Sequence, residues 1–131
     1  MNRRFLYCVL QGPAFSPGLA AERTGLGLVD ANEPGDVPPS GRYAGKALAE
    51  GSALLVLLDD DLDEAPAAGP APVRALQDAL PELRALGASR VSLSLVVAYT
   101  GACHFTLSPA ELGAVAALGL PLEVSCHPAA T

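Results

Sequence analysis

The sequence predicts an α+β fold: a single domain over residues 1–131, built on a mixed sheet of four or five strands with two or three helices packed on one face. Three stretches carry that reading. Arg90 to Tyr99 places Val91, Leu93, Leu95, Val97 and Tyr99 at a period of two, the spacing of a strand, with Ser92 and Ser94 on the opposite side. Leu107-Ser108-Pro109-Ala110-Glu111-Leu112 is a capping box: Ser108 can accept the Glu111 N–H, Glu111 can accept the Ser108 N–H, and Pro109 holds the first helical position, where no donor is missed. Leu120, Leu122, Val124 and Cys126 then alternate with Pro121, Glu123, Ser125 and His127, a second strand with one wet face. A crossover between two strands of one sheet is right-handed and makes them parallel.

The remaining elements follow in order. Phe5 to Leu10 is an unbroken apolar run, expected as a central strand near 4–11. Phe15-Ser16-Pro17 repeats the staple, cap and proline grammar of Leu107-Ser108-Pro109 and opens a helix over 17–24, with Gly25 as its left-handed cap. A short strand is expected near 26–31. Residues 32–51 hold seven glycines and prolines in twenty positions, a long loop with a partly helical stretch expected near Tyr43 to Glu50. Ala53 to Leu58 reads as a buried strand, over 53–59, and Ala65 to Ala71 as a Pro/Ala-rich connector. Val73, Leu76, Leu80, Leu83 and Leu86 share one face of the main helix, 72–86, which Pro81 is expected to kink or to split into two abutting helices. The strand at 90–99 is expected to be buried on both faces at its end, the capped helix covers 109–118 before Gly119, and the last strand covers 120–126.

Composition excludes several classes of function. Half of the residues are apolar and the mean hydropathy is positive, which suits a packed globular chain. A net charge of −6, with one lysine and seven scattered arginines, leaves no basic stripe for nucleic acid and no attraction to an anionic membrane. The opening apolar run stops at Gln11-Gly12, short of the ~7–15 residues a signal peptide needs, and no stretch approaches the ~18 of a spanning helix. Cys8, Cys103 and Cys126 are odd in number and lack framework spacing, so reduced thiols in a cytoplasm are expected.

Candidate chemistry is sparse. Arg42, Tyr43 and Lys46 stand between glycines in the long loop, where side-chain charge and backbone N–H groups could hold a small anion. Asp59-Asp60-Asp61 opens a run of five carboxylates in six residues, oxygen ligands of the kind calcium takes, although the glycine and final glutamate of an EF-hand loop are missing. Two Cys-His dipeptides, Cys103-His104 and Cys126-His127, offer two sulfurs and two nitrogens for a tetrahedral zinc site at the carboxyl edge of the sheet, which Asp59 and Asp61 could share. Against zinc, adjacent residues of a strand point to opposite faces; the plainer expectation is that Cys126 packs inward while His127 is solvated.

Phe105-Thr106-Leu107-Ser108-Pro109-Ala110-Glu111-Leu112, then Ala117-Leu118-Gly119 and Leu122-Glu123-Val124-Ser125, resembles the ending of an uncharacterised bacterial family of small single-domain proteins known only as a domain of unknown function. Gly25 and the stretch from Gly41-Arg42 to Gly45 fit it more loosely. The chain departs from that family in having no tryptophan and in ending its last strand on Ser125-Cys126-His127 instead of an aspartate and an aromatic residue. The resemblance implies an α+β fold and carries over no activity and no functional residue. With two histidines, no Ser-His-acid grammar and no glycine-rich nucleotide loop, the sequence leans away from an enzyme and towards a cytoplasmic binding or regulatory module. The alternative is a small-ligand or metal-binding protein using the carboxyl edge of the sheet. Low aromatic content beside high apolar content also fits a homodimer formed through an uncovered sheet face or an edge strand.

Overall fold

A computed structural model describes residues 2–61 and 71–129. The connector expected over 65–71 lies, apart from Ala71, outside the described residues, as do Asp63 and Glu64 of the acidic run. The elements are β1 (Arg3–Gly12), α1 (Pro17–Thr24), β2 (Val29–Asn32), β3 (Gly51–Asp61), α2 (Ala71–Ala85), β4 (Arg90–Tyr99), α3 (Pro109–Ala117) and β5 (Leu122–Pro128). The five strands form one mixed sheet in the order β2-β3-β1-β4-β5, so the fold is α+β with the Phe5–Leu10 run at its centre. β4 and β5 are parallel, as the crossover through α3 requires, and β2 lies antiparallel on β3. Ion pairs join the start of β1 to the end of β3, and Gly12 at the end of β1 abuts Gly87 just before β4, so β1 runs against both neighbours.

The chain groups into two units: Met1–Cys8, Val56–Asp78 and Ser92–Thr131 form the first, Val9–Leu55 and Ala79–Val91 the second. In the first unit, burial alternates along the strands. Leu6 and Cys8 of β1 and Leu93, Leu95 and Val97 of β4 are buried together with Val73 and Leu76 of α2 and Ala114 and Leu118 of α3, while Phe5, Tyr7, Ser94 and Val96 on the opposite side are half-buried. Burying one such Leu contributes about 1.5–3 kcal/mol. The end of β4 is thus fully covered on one face only, and Tyr99 is half-buried, where the apolar run Leu95-Val96-Val97-Ala98-Tyr99 predicts cover on both.

β5 departs further from expectation. Leu122, Val124 and Cys126 stand in register with Leu93, Leu95 and Val97 and so take the helix side, yet Leu122 and Val124 are 41% and 54% exposed and Cys126 is exposed as well. A last strand in the sheet order has a neighbour on one side only, and alternation alone cannot distinguish an edge from a centre.

In the second unit, Phe15, Leu10, Ala53, Leu55, Leu80 and Leu83 make the core. Ser16 caps α1 by accepting from the Leu19 N–H, and Gly25 closes it in the left-handed conformation at φ 73°. α2 runs unbroken through Pro81, which corrects the expected split; the buried stripe Val73, Leu76, Leu80 and Leu83 continues on both sides of the proline and outweighs one missing intrahelical bond. β2 begins at Val29, later than the apolar residues suggest, and its register slips where Asp30 adopts a positive φ of 49°. The stretch from Tyr43 to Glu50 holds a turn and no helix.

Candidate ligand-binding site

Two of the three loop residues singled out in the sequence border a cleft in the second unit. Tyr43 and Lys46 line it, with Gln11, Asn32, Ser52 and Arg90, around a volume of about 480 Å³. Arg42 lies over the Tyr43 ring, 5.6 Å from its centre. The loop is tied across its neck by the Gly35 N–H to the Leu48 carbonyl and the Leu48 N–H to the Asp36 carbonyl, both at 2.8 Å. An anion cradle needs backbone donors as well as charge. Here the N–H groups of Ala44, Gly45 and Lys46 already donate to the carbonyls of Gly41, Pro38 and Tyr43, and Arg90 is paired with Glu50, so the cleft offers the Lys46 ammonium with little backbone support.

The metal candidates are scattered by comparison. Cys103 is half-buried; His104, Cys126 and His127 are exposed, the last two on opposite sides of β5. The inward packing expected of Cys126 is therefore corrected: its register is inward, but nothing described covers the strand there. Asp59 is paired with Arg3 at 2.6 Å and Asp60 with Arg4 at 3.0 Å, while Asp61 stands half-buried at the end of β3. Among the described residues no group of three or more His, Cys, Asp or Glu side chains is gathered as a metal shell would need.

The most unusual chemistry lies at a residue that sequence reasoning passed over. Arg4 is 3% exposed, in the central strand of the sheet. Its Nε and Nη2 donate to Asp60 Oδ2 at 3.1 and 3.0 Å, and Nη2 also donates to Glu111 Oε2 at 2.9 Å. Phe105 lies beneath the guanidinium at 5.9 Å. Glu111 does two jobs at once: while Oε2 meets Arg4, Oε1 accepts the Ser108 N–H at 3.4 Å, and Ser108 Oγ accepts the Glu111 N–H at 3.1 Å. The capping box that starts α3 therefore also fixes a carboxylate against the buried arginine.

β3 presents Asp60 through a change of phase. Ala53, Leu55 and Leu57 are buried at odd positions, but Leu58 and Asp60 are buried at even ones, as one extra residue in the strand produces. That slip turns Asp60 towards Arg4 and leaves Asp59 outside with Arg3.

Two carboxylates against one guanidinium give the cluster a formal excess of one negative charge. It still leaves a donor unused: Arg4 Nη1 is buried with no hydrogen-bond partner among the described residues. Beside the cluster lies a cavity of about 60 Å³ whose accessible walls are apolar: Arg4 and Glu111 border it through their carbon atoms only, and Leu6, Leu58, Val73, Leu95, Leu107, Leu112, Val115 and Leu122 make up the rest. Leu112 and Leu122 are also 51% and 41% exposed, so the cavity reaches the surface between α3 and β5. Small-molecule sites are lined predominantly by apolar side chains, as this chamber is, while the unsatisfied N–H groups of Arg4 cost about 1–3 kcal/mol within the cluster.

Parity was the available signal for this site. Arg4, Leu6, Cys8 and Leu10 share one side of β1, so a strand buried on that side must bury Arg4, and a buried arginine requires carboxylates. None of the described helices is long and apolar enough to cross a membrane. Comparison with protein-family models, curated proteins and solved structures finds no match to this chain.

Proposed function

We propose that this chain is a small cytoplasmic binding module without catalysis, and that its ligand occupies the apolar cavity beneath α3. The observation that carries the reading is the chamber itself, an apolar cavity walled by Leu6, Leu58, Val73, Leu95 and Val115 that reaches the surface beside Leu112 and Leu122. A volume of about 60 Å³ is far below the ~300–1,000 Å³ of pockets that enclose whole drug-sized molecules, so the ligand is a small molecule, or enters by a short terminal chain. Three cysteines, odd in number and without framework spacing, suit the cytoplasmic assignment.

Titration of the ¹⁵N-labelled protein with pentan-1-ol tests this. Amide shifts are expected at Leu6, Leu95, Leu112, Val115 and Leu122, and they should vanish in Val115→Phe, whose ring fills the chamber. Shifts that persist in Val115→Phe, or none in the wild type, would overturn the reading.

The cleft beside Tyr43 and Lys46 supports a second reading, a site for a small anion held by side-chain charge. Lys46→Ala would then abolish phosphate-induced shifts at Tyr43 and Ser52, and their absence in the wild type would retire it.

A further inference from the structure

We infer that β5 is a pairing edge for a second copy of this chain, which adds its own β5 antiparallel across a two-fold axis at Ser125 and continues the sheet from one copy into the other. The two outer strands of the sheet are unlike. β2 has four residues, slips in register and carries Asp30 at a positive φ of 49°, the short and irregular form that blunts an edge. β5 has seven residues in unbroken register with β4, and no strand lies on its outer side among the described residues. The Leu93 N–H donates to the Pro121 carbonyl and the Ala129 N–H to the Tyr99 carbonyl, so the odd-numbered residues turn their main chain to β4. Alternation then points the main-chain groups of Leu122, Val124 and Cys126 outward, N–H and C=O together, as an open ladder. Their side chains make an apolar row on the helix side, with Leu122 41% and Val124 54% exposed.

The residues of β5 select both the occupant and the register. Antiparallel self-pairing about Ser125 overlaps the whole strand from Leu122 to Pro128, and no other centre does. It sets Val124 against the second copy's Cys126 at hydrogen-bonded positions, and Glu123 against the second copy's His127 at the closer non-hydrogen-bonded ones, each contact repeated by the symmetry. There an imidazole N–H faces a carboxylate, with opposite charge once the imidazole is protonated, whereas within one chain the two residues stand roughly 13 Å apart along the strand. A centre at Glu123 would oppose two carboxylates, one at His127 two imidazoles, and one at Val124 or Cys126 would set Ser125 against Glu123 or His127. The partners of Glu123, Ser125 and His127 on β4 are Ser94, Val96 and Ala98, which bring no charge to compete. Pro128 forfeits one N–H at each end of the ladder, a place where proline is tolerated.

Sedimentation equilibrium of the untagged chain at about 100 µM should give twice the 13.3 kDa of one chain. Val124→Lys changes an exposed position outside the core and should weaken association about tenfold or more, with the circular dichroism of the wild type retained. Cysteine reads the register. In a Cys103→Ser, Cys126→Ala background, oxidised glutathione should cross-link Ser125→Cys about tenfold or more faster than Glu123→Cys, because only residue 125 meets its own copy, at about 4.5 Å between Cα atoms. A monomeric mass at that concentration would overturn the inference. So would a dimer that Val124→Lys leaves intact. Cross-linking that is equal at 123 and 125, or absent at 125, would overturn it as well, and that comparison does not depend on the lysine variant.

Discussion

Two Arg–Asp pairs one residue apart join the same two strands, and they should differ in stability by several kcal/mol. Arg3–Asp59 is open to water, with side chains 43% and 46% exposed, whereas Arg4–Asp60 is 4% and 7% exposed. Methionine at either arginine keeps most of the apolar stem and removes the charge and its donors. Arg3→Met loses an exposed pair worth about 0.2–1 kcal/mol. Arg4→Met strands Asp60 at 7% exposure, with Glu111 beside it, and breaking a buried pair from one side costs about 3–5 kcal/mol. Against a total stability of about 5–15 kcal/mol that is a large share. Urea unfolding followed by circular dichroism reads both variants, and a double-mutant cycle with Asp60→Leu isolates the pair. The cost of Arg4→Met should largely disappear once Asp60 and Glu111 are also made apolar, because the penalty is the abandoned charge and not the lost attraction. If Arg4→Met cost no more than Arg3→Met, the buried cluster could not be the polar centre of this fold.

Glycine substitutions should split by position. A Cβ at Gly51 would lie 1.7 Å from the Phe15 carbonyl oxygen, so Gly51→Ala should lose at least about 1–3 kcal/mol in the same urea assay, whereas Gly113, in α3 with open space around it, should gain about 0.4–1 kcal/mol as alanine. Ser108→Ala removes the α3 cap and should cost about 1 kcal/mol, with amide hydrogen exchange quickening first in Pro109–Ala117. In native protein a thiol reagent should modify exposed Cys126 fastest and half-buried Cys103 more slowly, while Cys8, 0% exposed, reacts only on unfolding; mass mapping of the labelled peptides checks the order.

Much of the fold was legible because its signals are local. The capping box at Ser108 and Glu111, the Ser16-Pro17 start, the glycine caps and the alternation from Val91 to Val97 each act within a few residues, and the structure places elements at every one of them. What failed depended on neighbours remote in sequence. Leu122 and Val124 alternate like buried residues, yet their exposure follows from β5 standing last in the sheet order, a fact about β4 and the absence of a sixth strand among the described residues. Likewise Pro81 suggests two abutting helices, but α2 is one helix from Ala71 to Ala85, with buried leucines on either side of the proline.

The candidate site was hidden for a sharper reason. With unbroken alternation from Ala53, β3 would turn Asp59 and Asp61 inward and Asp60 outward, and no buried partner for Arg4 would be foreseen. The phase change between Leu57 and Leu58 reverses that assignment, and nothing in the run Leu54-Leu55-Val56-Leu57-Leu58 marks where it occurs, because every residue there is apolar. Glu111 was disguised differently: its place in a capping box accounts for it fully, and a residue with one sufficient role attracts no second. The structure gives it both, one oxygen for the helix start and one for Arg4. A substitution that loosened Arg4 from Glu111 would therefore act directly on the first turn of α3, and hydrogen exchange there would report it.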